Sequence, residues 1–222
     1  PVRIIPETPA LARKAEAAGI PARFTHWAFY RRQYLSFQAG EQIMTAGDTV
    51  DGFYLLLTGR IRVYTLNPAG KLLTLVVCRA GEPALMGDVE YLTGQTSPNH
   101  VEAVEDAVLL KVFYDRERME GDIALYHFFA EMLLLKMEMS SEEANRRALY
   151  SLPQRFAVYL LDMADGDRFT GSYTEAAGYL GCSYRQLMRV VSSFYKDGIL
   201  SREGKSARLL DLAWLRQMAE GK

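Results

Sequence analysis

The sequence predicts an α+β chain in three parts: a strand-rich roll of the jelly-roll kind, a long helix, and a helix-turn-helix with a β-hairpin wing. Three observations predict it. From Leu35 to about Phe113, short runs of β-branched, leucine and aromatic residues alternate with Gly40, Gly47, Gly52, Gly59, Gly70 and Gly81, the spacing of strands and turns in a β-barrel or jelly roll. From about Asp115 the apolar residues recur at three- and four-residue steps, as on a helix. Residues 171–205, GSYTEAAGYLGCSYRQLMRVVSSFYKDGILSREGK, then spell two cappable helices and a hairpin. The expected divisions are 1–122, 123–147 and 148–222.

Taken in order, Ala10 to Ala18 reads as a short helix stopped by Gly19 and Pro21, and the aromatic, basic run Phe24 to Tyr34 as a second. Strands are expected at Gln42-Ile-Met, Gly52 to Leu57, Arg60 to Leu66, Leu72 to Cys78, Val101 to Val104 and Val108 to Phe113. In the long helix, Leu125, Phe128, Met132, Leu135 and Met139 form a heptad seam, expected to face a second copy in a parallel homodimer. Phe129 and Leu133 widen the apolar face, so that one side can rest on the roll while the other meets a partner. Glu138, Glu142 and Glu143 mark the polar end. Residues 148–166 read as a further amphipathic helix, with Pro153 near its start, where proline is tolerated.

The last part is the most informative. Ser172 can cap a first helix, with Glu175 three residues on to close a capping box. Ala176, Ala177 and Leu180 give that helix a small apolar face, and Gly181 supplies the positive φ of a tight turn. Ser183 caps a second helix whose Leu187, Val190, Val191 and Phe194 recur at helical spacing. Its other face carries Tyr184, Arg185, Gln186 and Arg189. Arg and Gln match base edges in a DNA major groove, and Ser and Tyr match phosphates. Ile199 to Arg202 and Ala207 to Leu210 alternate as two wing strands around Glu203-Gly204-Lys205-Ser206, with Arg202 and Lys205 as further DNA-contact candidates.

Composition bounds the alternatives. The chain has 222 residues, 49% hydrophobic and 24% charged, with a net charge of −1, values typical of a globular protein. No apolar run approaches the ~20 residues that span a bilayer, and the first twenty residues lack the continuous apolar stretch of a secretory signal, so the expected location is the cytoplasm. Cys78 and Cys182 are the two cysteines, too few for a disulfide framework or an all-cysteine metal site. His26, His100 and His127 show no ligand spacing, so no metal and no haem or other cofactor is expected. No nucleophile–base pair and no phosphate-cradling glycine loop points to an enzyme. Between Ser183 and Arg208, however, Arg185, Arg189, Lys196, Arg202, Lys205 and Arg208 face only Asp197 and Glu203, a local basic surface on a near-neutral chain.

In the roll, FQAGEQIMTAGDTVDGFYLLLTGRIRVY (37–64), and in the C-terminal part, YLGCSYRQLMRVVSSFYKDGILSREGK (179–205), resemble the cyclic-AMP receptor protein / fumarate-nitrate-reduction regulator (Crp/Fnr) family. The resemblance covers roughly residues 30–215. It implies a cyclic-nucleotide-domain-like roll, a dimerisation helix and a winged helix-turn-helix. It also implies a bacterial transcription regulator that binds a pseudo-palindromic DNA operator as a homodimer and meets RNA polymerase if it activates. An unidentified small-molecule effector is implied in the roll, with Gly87, Asp88 and Ser97, and Ser140 and Ser141 on the long helix, as pocket candidates.

The sequence departs from the family at two places. The nucleotide cassette has the form Gly-Glu-Leu…Arg-Ser/Ala, whereas here Asp88 replaces the Glu and no Lys or Arg occurs between Arg79 and Lys111. A buried phosphate needs a charged partner, so cyclic AMP is not expected to bind in the usual way unless Arg60, Arg62 or Arg79 swings in. On the second helix, Arg189 matches the later Arg of the family's Arg-Glu-x-x-x-Arg pattern, but Arg185 stands where the Glu would be. Glu accepts from cytosine and Arg donates to guanine, so the operator should differ at that base pair. The alternative reading is a ligand-sensing roll whose winged domain contacts protein rather than DNA.

Overall fold

The computed structural model describes residues 2–70, 72–82, 84–204 and 206–220. The chain forms two compact units, one of residues 1–65 and 75–138, the other of 66–74 and 139–222. The division falls inside the long helix, rather than at its ends as the expected boundaries had it.

The first unit begins with β1 (Arg3–Ile5) and α1 (Pro9–Ala17), whose Thr8 cap accepts from Leu11 N. The expected second helix over Phe24 to Tyr34 is not there. Two short 3₁₀ turns, Pro21–Arg23 and Trp27–Phe29, lead straight into β2 (Arg32–Phe37). Phe24 and Tyr30 are both 3% exposed; on an α-helix, six residues apart, they would diverge by about 120°. The segment is held instead by Asp122, which accepts from Thr25 N at 2.9 Å and Thr25 Oγ1 at 2.6 Å.

β3 (Gln42–Met44), β4 (Gly52–Thr58), β5 (Arg60–Leu66), β6 (Leu72–Arg79), β7 (Leu85–Met86), α2 (Asp88–Thr93), β8 (His100–Ala103) and β9 (Ala107–Phe113) complete the roll. They form two sheets, in orders β1-β2-β9-β4-β7 and β3-β8-β5-β6. Between the sheets lie Leu35, Phe37, Leu56, Ile61, Val101 and Leu109. The alternate residues of β4 and β9, Phe53, Leu55, Leu57, Leu110 and Val112, point the other way and are buried against α1 and the long helix. Both faces of β4 are thus covered, which is why it reads as an unbroken apolar run. Two glycines have no substitute: a Cβ on Gly59 would stand 2.3 Å from Asp106 O, and one on Gly87 2.4 Å from Gly52 O, both at positive φ.

After the single turn α3 (Arg116–Met119), α4 runs from Ile123 to Leu149. The second unit continues with α5 (Leu152–Met163), shorter than expected and opened by a Ser151–Gln154 capping box. Then come β10 (Arg168–Phe169), α6 (Tyr173–Tyr179), α7 (Tyr184–Lys196), β11 (Leu200–Glu203), β12 (Ser206–Leu209) and α8 (Leu212–Ala219). β10, β12 and β11 form a small antiparallel sheet. Phe156, Leu160, Phe169, Leu187, Val191 and Leu215 fill this unit's core.

Candidate nucleic-acid interface

The orientation of α7 is fixed from within. Leu187, Val190, Val191 and Phe194 are buried, as their spacing predicts. The turn before it holds Gly181 at φ +66°. Tyr184, Arg185, Gln186 and Arg189 consequently stand on the exposed side. Arg185 and Arg189 have no ion-pair partner among the described residues. One turn further on, Ser192 and Lys196 extend the same exposed stripe, a continuation that the first-turn motif does not signal.

The two serines act first on the backbone. Ser172 Oγ accepts from Thr174 N at 3.2 Å, which makes it the cap of α6; the expected box with Glu175 is not formed. The capping box sits on α7 instead. Gln186 N donates to Ser183 Oγ at 3.2 Å, while Ser183 N and Oγ both donate to Gln186 Oε1, at 2.9 and 2.8 Å. Gln186 therefore presents only its amide donors outward. The first turn of α7 is left rigid, with its backbone dipole favouring an anion such as a DNA phosphate.

On the wing, the first strand runs one residue later than expected and the second one residue earlier. Arg202 lies over the Tyr195 ring at 5.3 Å, and Tyr195 Oη is 2.8 Å from Tyr173 Oη, so the wing is tied to both helices. Burial first, and then the Tyr195 hydroxyl, raise the Tyr173 phenol well above its usual range. Arg208, counted among the basic residues, is spoken for: its Nε donates to Asp167 Oδ2 at 2.7 Å and its Nη1 meets Glu203 at 3.4 Å. Lys205 lies outside the described residues.

In the roll, the expected effector residues serve the fold. Gly87 wedges against Gly52, and its carbonyl accepts from Tyr114 Oη at 2.5 Å. Asp88 is 1% exposed, and both its oxygens accept from Lys136 Nζ, at 2.6 and 2.7 Å. Ser97, 4% exposed, donates through Oγ to Asn99 O. Ser140 and Ser141 are exposed and belong to the second unit. Sequence reasoning missed Lys136, the cation that neutralises Asp88 from 48 residues away. Arg60 pairs with Glu105 at 2.8 Å and Arg62 with Glu102 at 3.0 Å, so neither stands ready for a phosphate. Cys78, in β6, has its thiol pushed up to about 11, chiefly by burial, as a packing residue's would be.

The heptad seam needs correction. Leu125, Phe128 and Met132 are 0%, 6% and 5% exposed, packed with Phe53 and Phe129 inside their own unit, and Leu135 leans on the same cluster. They face the roll. Met139 is 42% exposed. The opposite side of α4 carries a second stripe at three- and four-residue steps: Tyr126, Ala130, Leu133 and Met137, flanked by Leu134. Tyr126, Leu134 and Met137 are 41%, 61% and 69% exposed.

Known proteins match both halves. The cyclic nucleotide-binding domain family matches residues 34–118. The regulatory protein YeiL of Escherichia coli O157:H7 is 26% identical, over 76% of this chain and 77% of its own. The cyclic AMP receptor protein of Thermus thermophilus is 28% identical, over 87% of this chain and 89% of its own. A solved CRP-family transcriptional regulator, also from Thermus thermophilus, superimposes with a TM-score of 0.70 at 25% identity, over 83% of this chain and 96% of its own. No helix among the described residues is long and apolar enough to cross a membrane. Over the roll, the long helix and the winged helix-turn-helix, the chain is similar to transcription regulators of the Crp/Fnr family.

Proposed function

We propose that the chain is a cytoplasmic, sequence-specific DNA-binding regulator that works as a homodimer, lays α7 in the major groove of each half of a pseudo-palindromic operator, and does not respond to cyclic AMP in the usual way. The observation that carries the reading is the exposed stripe Arg185, Gln186 and Arg189 on a helix whose other side is locked into a core. The charge division supports it. The unit bearing α7 has 13 Lys and Arg against 10 Asp and Glu, and the other unit has 13 against 17. A net-positive unit beside a net-negative one directs a polyanion to the α7 side.

The dimer is proposed along Tyr126, Ala130, Leu133 and Met137, because three of these four are exposed, whereas Leu125, Phe128 and Met132 of the other stripe are buried. Two-fold symmetry then sets half-site centres about one helical turn, ~34 Å, apart. RNA polymerase would be the further partner of an activating form. For cyclic AMP, Lys136 cancels most of the repulsion that Asp88 would exert. What argues against binding is that Lys136, Arg60 and Arg62 already hold carboxylates. Binding to selected and random duplexes across a salt series tests the proposal. A DNA reader shows a steep salt slope and a preference for the selected sequence. A flat slope with no preference means that the winged domain serves a protein partner.

A further inference from the structure

A groove of about 450 Å³ opens on the first unit between α1, β4, Ala80, Gly81, Glu82, Ala84 and α4, within the size range of small-molecule sites. Its lining includes none of Gly87, Asp88 and Ser97. Its floor is apolar, from Leu55, Leu57, Ile20, Phe128 and Met132. The space exists because the walls are small: Ala17, Ala18, Ala80, Gly81 and Ala84. Two cations stand at the α1 side. Lys14, in the last turn of α1, is exposed and has no ion-pair partner among the described residues. Arg23 gives its Nη1 to Glu131 Oε2 at 2.5 Å and lies over Phe128 at 5.0 Å. The lining's one acid, Glu82, already accepts from Arg79 N at 3.0 Å.

We propose that this groove binds an aliphatic carboxylate of medium chain length, its head at Lys14 and the outer edge of Arg23 and its chain along Leu55, Leu57 and Met132. Glu131 balances Arg23, so among the described residues Lys14 is the lining cation without an ion-pair partner, and one carboxylate head matches it. An aliphatic body fits better than an aromatic one, because the single aromatic ring at the floor, Phe128, already has Arg23 on its face. Such a ligand bridges α1 to α4, the helix whose far side carries the proposed dimer stripe.

Decanoate is the probe, and decyltrimethylammonium the charge-reversed control. With methionine methyls labelled in the full chain, decanoate is expected to shift the Met132 resonance saturably, while Met44 and Met86, which belong to the inner cluster of the roll, stay put. Lys14→Glu should weaken that binding at least tenfold. Ala17→Trp, at an exposed position, should fill the groove and abolish it. The ammonium control should leave Met132 unmoved. An unshifted Met132 at millimolar decanoate, a shift confined to Met44 and Met86, equal response to both probes, or unchanged affinity in both variants would each overturn the proposal.

Discussion

Breaking the Asp88–Lys136 pair should cost very different amounts depending on which partner is removed. Asp88 is 1% exposed, whereas the Lys136 side chain is 41% exposed. Lys136→Met leaves a 1% exposed carboxylate without the cation that pairs it. Removing one partner of a buried pair in this way costs about 3–5 kcal/mol. Asp88→Asn leaves the cation, and Lys136 can extend its amine into solvent, so the loss is nearer that of one charged hydrogen bond, about 1.5–3 kcal/mol. The double variant should recover part of the Lys136→Met loss, since no buried charge is left. Urea unfolding at pH 7 and one fixed protein concentration, followed by circular dichroism, gives all four stabilities if the m-value is unchanged. Equal losses in the two single variants, or less than about 1 kcal/mol for Lys136→Met, would refute the idea that Asp88 depends on Lys136.

Arg185→Ala should lose about 1–3 kcal/mol on the preferred operator and much less on random duplex; equal losses on both, in a fluorescence titration, would make Arg185 a phosphate contact. Met137→Asp should yield a folded monomer by light scattering, whereas Met132→Asp, placing charge in the core, should unfold the first unit; the reverse pattern would restore the original seam. Asp122 sits among groups that compete over its charge: burial raises its pKa, and hydrogen bonds from Thr25, Leu125 and Tyr30 more than offset this, leaving it lowered. Its stabilisation is present above the unfolded value of about 3.9 and is lost as pH falls through the folded one. Asp122→Asn should therefore be weaker at neutral pH and converge with the parent chain in acid, as read from urea midpoints at pH 7 and pH 3. Cyclic AMP should give no low-micromolar isotherm by calorimetry.

The parts legible in the sequence are those whose signals are local. Ser183, Gly181 and the run from Leu187 to Phe194 define α7 within about fourteen residues, and the structure follows them. The long helix was legible as a helix but not as an interface. Leu125, Phe128, Met132, Leu135 and Tyr126, Ala130, Leu133, Met137 both satisfy a heptad, and periodicity does not say which of two apolar faces meets its own chain. That choice is made by β4 and β9, whose outward leucines and Phe53 need cover. Phe24 to Tyr34 was misread because aromatic density was taken for helical rhythm, when its residues are placed by Asp122, about a hundred positions away. Lys136 escaped for the same reason. In the sequence it is one charge on an amphipathic helix; only the fold sets it against Asp88.

The dimer proposed on the bare stripe of α4 would tie this molecule's stability to how much of it there is. Each protomer finishes its own core using one side of the helix and leaves Tyr126, Leu134 and Met137 in water. Covering them is a bimolecular event, governed by mass action rather than by the chain alone. A melting temperature that climbs with protein concentration is the signature. Dilution would then loosen α4 and separate the paired reading heads together, so that abundance, with no effector at all, would set how much of the chain is competent to hold a two-fold site.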